Sequence, residues 1–143
     1  MSKPSIKGLS HITFRCHDLE KSAHFLQYVL DAELIYDSAE QTFSISKEKF
    51  FLIAGMWIAI MEGEPLLKSY NHVAFLVDAN DIPIYKSRIE ELRLEILSSR
   101  SRNPAEGESL YFYDYDGHLF ELHTGDLETR LEYYSQASAK NAG

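Results

Sequence analysis

The apolar positions of this chain run through one alternation twice. Residues 9–16 alternate and are rich in β-branched and aromatic side chains, which predicts a strand. Asp18 is a good N-cap for the next stretch, where Leu19, Ala23, Leu26 and Leu30 recur at helical spacing. Strand patterns follow at 32–36, 42–46 and 50–62, the last divided in two by Gly55. The pattern then restarts. Residues 70–77 predict a strand, and Asn80 or Asp81 caps a helix whose apolar face is Ile82, Tyr85, Ile89 and Leu92. Further strands are predicted at 94–97, 109–113 and 118–124, with Asp116-Gly117 as the hairpin turn between the last two. A closing helix covers 126–134 with Leu127, Leu131 and Tyr134 inward, and the small polar residues 135–143 read as a frayed tail.

The chain is therefore β-α-β-β-β written twice, an α+β fold in a single domain of 143 residues. Module 1 covers about 8–62, a linker with Pro65 covers 63–69, and module 2 covers about 70–134. A lone module cannot bury its sheet face, which favours curved mixed sheets around a shared cup.

The first strands of the two modules carry the strongest chemical signal. One reads Ser10-His11-Ile12-Thr13-Phe14 and the other Asn71-His72-Val73-Ala74-Phe75, with the histidines 61 positions apart. Matching positions in a duplicated sheet can aim two imidazoles at one centre. The bland alternative is a hydrogen-bonded, part-buried histidine in each strand, and duplication weakens it. Glu121, in Leu119-Phe120-Glu121-Leu122-His123, is the candidate third ligand, because a carboxylate among apolar residues is costly unless paired or metal-bound. The same offset maps Glu121 near Ile60, which cannot bind metal. Three protein ligands leave positions open, as in catalytic rather than structural sites. Mixed nitrogen and oxygen ligation suits Mn²⁺, Zn²⁺, Fe²⁺ or Ni²⁺. His17, His24 and His118 read as solvated surface residues, and His123 as a reserve ligand.

Glu48 lies in Ser46-Lys47-Glu48-Lys49-Phe50-Phe51; by composition it is a solvated charge, while its aromatic neighbours allow the part-burial that suits a general base. Arg100, Arg102 and Arg130 with Ser109 and Tyr111 form a polar set, and Arg130 follows the last strand closely enough to hold a phosphate, phosphonate or carboxylate at the mouth of the cup. A net charge of −8 argues against nucleic acid and anionic membranes as partners. The single cysteine, Cys16, fits a reducing compartment, and no apolar run approaches membrane-spanning length, so a soluble cytoplasmic protein is expected.

The order and spacing of several segments resemble the vicinal oxygen chelate superfamily, and within it the fosfomycin-resistance proteins. These are 8–13 with Asp18-Leu19, 70–75, 109–114, 117–123, and Gly125-Asp126-Leu127 leading to Arg130-Leu131. The resemblance implies Mn²⁺ held by His11, His72 and Glu121, with the drug's phosphonate and epoxide oxygens in the open positions. It implies that Thr13, Trp57, Tyr111 and Arg130 line the substrate pocket, and a homodimer in which modules of two chains pair. Residues 44–55 resemble the water-using, X-type branch, in which the glutamate matching Glu48 activates water. Arg100 and Arg102 resemble the loop of that branch, while Asn103-Pro104-Ala105 departs from it. Ser101 and Ala105 stand where the thiol-transferring branch places a lysine and a serine for phosphonate and potassium. The implied activity is Mn²⁺-dependent hydrolysis of fosfomycin to a diol. The alternatives are thiol transfer to the same drug, a non-catalytic drug-binding protein, or another metalloenzyme of the superfamily.

Overall fold

A computed structural model describes residues 3–98 and 103–142, so Arg100, Ser101 and Arg102 lie outside the described residues. The chain divides into two compact units, one ending at Pro65 and the other beginning at Leu66.

The first unit contains β1 (His11–Cys16), α1 (Leu19–Leu30), β2 (Glu33–Asp37), β3 (Glu48–Ile53) and β4 (Met56–Glu62). Its sheet has the order β1-β4-β3-β2, with β1 parallel to β4 and the other pairs antiparallel. Asp18 caps α1 by accepting a hydrogen bond from the Lys21 N–H. The helix packs on β3 and β4 and buries Phe25, Leu26, Val29 and Leu30. Phe51, Ile58, Ile60 and Cys16 complete that core. Ala54 and Gly55, both at positive φ (49° and 78°), make the two-residue β3–β4 turn that the right-handed strand twist favours. Residues 42–46 are a loop, not the strand their alternation predicts. Phe43 and Ile45 are exposed there, and β2 already occupies the free side of β3.

The second unit contains β5 (His72–Leu76), α2 (Ile82–Glu91), β6 (Ser109–Tyr113), β7 (Leu119–His123) and α3 (Leu127–Ala142). Here the sheet order is β5-β7-β6, with β5 parallel to β7. One face buries Phe75, Leu110, Phe112, Phe120 and Leu122, with Ile89 of α2 also buried. Ile89 is the one fully buried position of the face expected for α2; Ile82, Tyr85 and Leu92 are half-buried. Residues 94–97 form no regular strand: a single bridge joins Ile96 to Phe112 at the β6 edge.

Three expectations about the C-terminal half are corrected. The final helix does not fray at 135; α3 continues to Ala142 through residues that include no glycine or proline. Leu127, Leu131 and Tyr134 are exposed rather than inward, because α3 packs on the short turn Pro104–Glu106 and not on a sheet. His118 is likewise buried, not solvated; its Nδ1 lies 2.7 Å from Asp114 Oδ2, inside the turn that joins β6 to β7. His17 and His24 are exposed as expected. Among the described residues no helix is long and apolar enough to cross a membrane.

Candidate active site

Strand register decides which side chains share a face, because residues directly opposite one another point the same way. In the first unit His11, Trp57 and Leu52 form one row, Thr13, Ala59 and Phe50 the next, and Arg15, Met61 and Glu48 the third. The face away from α1 thus carries His11, Thr13, Trp57 and Glu48 together. His11 is exposed on an edge strand and lies against Trp57, with ring centroids 4.1 Å apart. Its Nδ1 is 3.0 Å from Ser10 Oγ, and among the described residues nothing bonds its Nε2. Trp57 continues an aromatic line through Phe50 to Tyr36, with centroid spacings of 5.2 and 5.0 Å. Among the described residues the Trp57 indole Nε1–H is buried with no hydrogen-bond partner, a costly arrangement for a donor.

Glu48 begins β3 and is half-buried, as its aromatic neighbours suggest. Its main chain is held on both sides by buried Ser38, whose Oγ accepts from the Glu48 N–H at 2.9 Å and whose N–H donates to the Glu48 carbonyl at 3.0 Å. The next residue, Lys49, faces the other way and is buried in ion pairs with Asp37 (2.6 Å) and Glu20 (2.9 Å). The backbone of Glu48 is fixed while the carboxylate stays without an ion-pair partner among the described residues.

In the second unit the equivalent face carries His72, Leu119 and Tyr113 in one row, Ala74, Glu121 and Tyr111 in the next, and Leu76, His123 and Ser109 in the third. Glu121 is buried at 5% exposure, and its surroundings explain how a carboxylate survives there. Burial pushes its carboxyl upward, but the Ser109 hydroxyl, the His123 imidazole, the Tyr111 hydroxyl and His72 outweigh it and hold the group below the ordinary glutamate range. Ser109 Oγ donates to Glu121 Oε2 at 2.5 Å, and Tyr70 donates to the Tyr111 hydroxyl at 3.2 Å. Arg130, in the first turn of α3, reaches the Glu106 carbonyl (3.3 Å) and His123 Nε2 (2.9 Å). Two glycines let the chain close around this imidazole. A Cβ on Gly125 would lie 2.8 Å from the Glu106 carbonyl oxygen and 2.9 Å from His123 Nε2, and one on Gly107 would lie 2.6 Å from the Gly125 nitrogen.

The contact between His72 and Glu121 tests whether these residues suit a metal. His72 Nδ1 lies 2.7 Å from the Tyr70 carbonyl, which can only accept, so Nδ1 carries the hydrogen. Nε2 is thereby the ring atom turned toward Glu121 Oε1, 3.1 Å away. Either a proton on Nε2 or a cation beside both atoms satisfies such a contact. Ligands about 2.1 Å from one ion and at right angles to each other stand about 3.0 Å apart, so the pair fits a divalent ion. Among the described residues no group of three His, Cys, Asp or Glu side chains gathers within the chain. His72 and Glu121 come together in the second unit, and His11 belongs to the first.

Register also refines the duplication. Thr13 pairs with Ala59 as Ala74 pairs with Glu121, so the counterpart of Glu121 is Ala59 rather than Ile60, which faces the other side. Tyr70, the Ser38 clamp and the Arg130–His123 contact were not singled out from sequence. Tyr70 alone left a signal there, as an aromatic two positions before His72.

Residues 8–122 match the model of the glyoxalase/bleomycin resistance protein/dioxygenase superfamily. The chain is 58% identical over 130 residues to the fosfomycin resistance protein FosX of Listeria innocua, covering 90% of this chain and 98% of that one. The chain belongs to this superfamily, in its X-type fosfomycin-resistance branch. The fold agrees: a FosX variant from Listeria monocytogenes, solved with Mn(II) and 1S,2S-dihydroxypropylphosphonic acid, superposes with a TM-score of 0.83 at 51% identity, covering 91% of this chain and 99% of that one. The thiol-using branch is more distant, with the metallothiol transferase FosB of Staphylococcus haemolyticus 35% identical over 92% of this chain and 94% of that one.

Proposed function

We propose that this chain is a Mn²⁺-dependent epoxide hydrolase that opens fosfomycin to the diol and so confers resistance. The observation that carries the reading is the 3.1 Å approach of His72 Nε2 to Glu121 Oε1, the spacing of two ligands on one ion, on the face that Tyr111 also lines. Kinship with FosX, one member of which holds Mn(II) and a diol phosphonate, gives that cation and substrate their names.

His11, His72 and Glu121 would hold the ion, and three protein ligands leave open positions for substrate oxygens. Bound there, the ion supplies Lewis acidity for the alkoxide that forms as the epoxide C–O bond breaks. Glu48 takes the proton of a water that attacks the ring carbon bearing the phosphonate. It stands two rows from His11 on one face, about 13 Å along the strands, which leaves room between the side chains for a small substrate and a water. Thr13, Trp57, Ser109, Tyr111 and Arg130 would line the pocket, with Arg130 matched to the phosphonate charge, and the reading adds Arg100 and Arg102, which lie outside the described residues.

The reading includes a homodimer in which modules of two chains pair. Its support is that β1 and β5, which carry the histidines, are edge strands of their sheets with ladder groups open on one side. It also includes a cytoplasmic location, in keeping with a single, buried cysteine, Cys16. Phosphorus NMR of fosfomycin with Mn²⁺-loaded protein and no thiol tests the reaction. A diol signal supports hydrolysis, whereas turnover that appears only with added glutathione or another thiol overturns it.

A further inference from the structure

We infer that His123 is a positioning residue, an imidazole strut that links the Arg130 guanidinium to the Glu121 carboxylate. The inference rests on the proposed reading of Glu121 as metal ligand and Arg130 as phosphonate holder. Hydrogen-bond direction carries it. A guanidinium donates and never accepts, so His123 Nε2, 2.9 Å from Arg130, is an acceptor. The ring hydrogen is then on Nδ1, which lies 2.7 Å from Ser109 Oγ and 3.2 Å from Glu121 Oε2. Ser109, receiving that hydrogen, turns its own toward Glu121 Oε2 at 2.5 Å. Every donor from Arg130 onward points at one carboxylate oxygen.

Two consequences follow for the site. Oε2 is committed to the strut, so Oε1, the oxygen facing His72, is the one presented to the ion. His123 has no lone pair to spare, because Arg130 occupies Nε2, and its expected role as reserve ligand is replaced by this one. Ser109 likewise orients the ligand carboxylate instead of acting only as part of the substrate wall. Arg130 and Glu121 thereby share one support, and substrate charge and metal ligand are set relative to each other.

Substitutions at His123 separate the two ends. His123→Leu removes both hydrogen bonds. His123→Asn keeps a donor near Nδ1 and drops the acceptor for Arg130; His123→Gln keeps an acceptor near Nε2 and drops the donor. With Mn²⁺ alone as probe, followed by electron paramagnetic resonance, His123→Leu is expected to weaken binding by about 10- to 100-fold, as loss of a ligand's supporting hydrogen bond does elsewhere. His123→Asn should recover most of the Mn²⁺ affinity while KM for fosfomycin stays raised. His123→Gln should show the reverse at saturating Mn²⁺. Mn²⁺ affinity in His123→Leu within about twofold of the parent, or Asn and Gln variants that shift both readouts alike, overturns the strut. If circular dichroism shows His123→Leu unfolded, Ser109→Ala cuts the same line one step later; weakened Mn²⁺ binding supports the inference and unchanged binding overturns it. Should the parent protein fail to turn over fosfomycin, the proposed function falls, while the Mn²⁺ titrations still decide the strut.

Discussion

The two sheets place equivalent residues on equivalent faces and use them differently. Register pairs His11 with His72, Ala59 with Glu121, Met61 with His123, Phe50 with Tyr111 and Glu48 with Ser109. The second unit fills its face with hydrogen-bond donors that converge on one buried carboxylate. The first unit fills the same positions with Ala59, Met61 and the aromatics Phe50 and Trp57, and leaves its own carboxylate, Glu48, at the far row. In the proposed reading Glu121 is a ligand, which must be fixed, and Glu48 a base, which must be able to take and give a proton. One backbone repeated twice has supplied a tightly held carboxylate on one side and an uncommitted one on the other.

That contrast can be broken in stages. The largest effect is expected from Glu121→Ala, which removes the held carboxylate: Mn²⁺ affinity should fall by more than the ~100-fold ceiling for supporting residues, measured by titration of the metal-free protein. Glu48→Gln comes next, with a loss of about 10²- to 10⁴-fold in kcat and Mn²⁺ binding unchanged. Parent-level hydrolysis in that variant would end the division of labour between the sheets. Ser38→Ala sharpens the comparison by loosening only the main chain under Glu48; it should cost about 1 kcal/mol in chemical denaturation and lower kcat less than Glu48→Gln does. The smallest change is Trp57→Phe, which removes a buried donor that has no partner. Stability should hold or rise by about 1 kcal/mol, while KM for fosfomycin reports any lost contact with substrate.

Element order was legible because each module carries its own strand, cap and helix periods in sequence. Where the reading failed, the missing information was tertiary. The alternation at 42–46 is real, but β2 already covers the edge of β3, and Phe43 and Ile45 point outward. The offset between modules is 61 at β1 and 62 at β4, since Trp57 and Leu119 occupy matching places, so a constant shift landed on Ile60 instead of Ala59. The histidines and Glu121 stood out by type and context. The role of His123 did not, because it depends on which ring nitrogen Arg130 reaches, and that is a distance between side chains. His118 looked solvated for a related reason: a turn residue gives no sign in sequence that its neighbour Asp114 will enclose it.

The close approach of Gly107 to Gly125 has an evolutionary consequence. Adding a methyl at either position would drive it into backbone or into the His123 ring. Gly→Ala, ordinarily among the mildest steps open to a gene, would here spread the loop that seats Arg130 and His123. Lineages carrying this protein under drug pressure should therefore explore the exposed positions of α3 beyond Arg130 freely while these two codons stay still, and a deep mutational scan for resistance would show both glycines to be as intolerant as the site residues beside them.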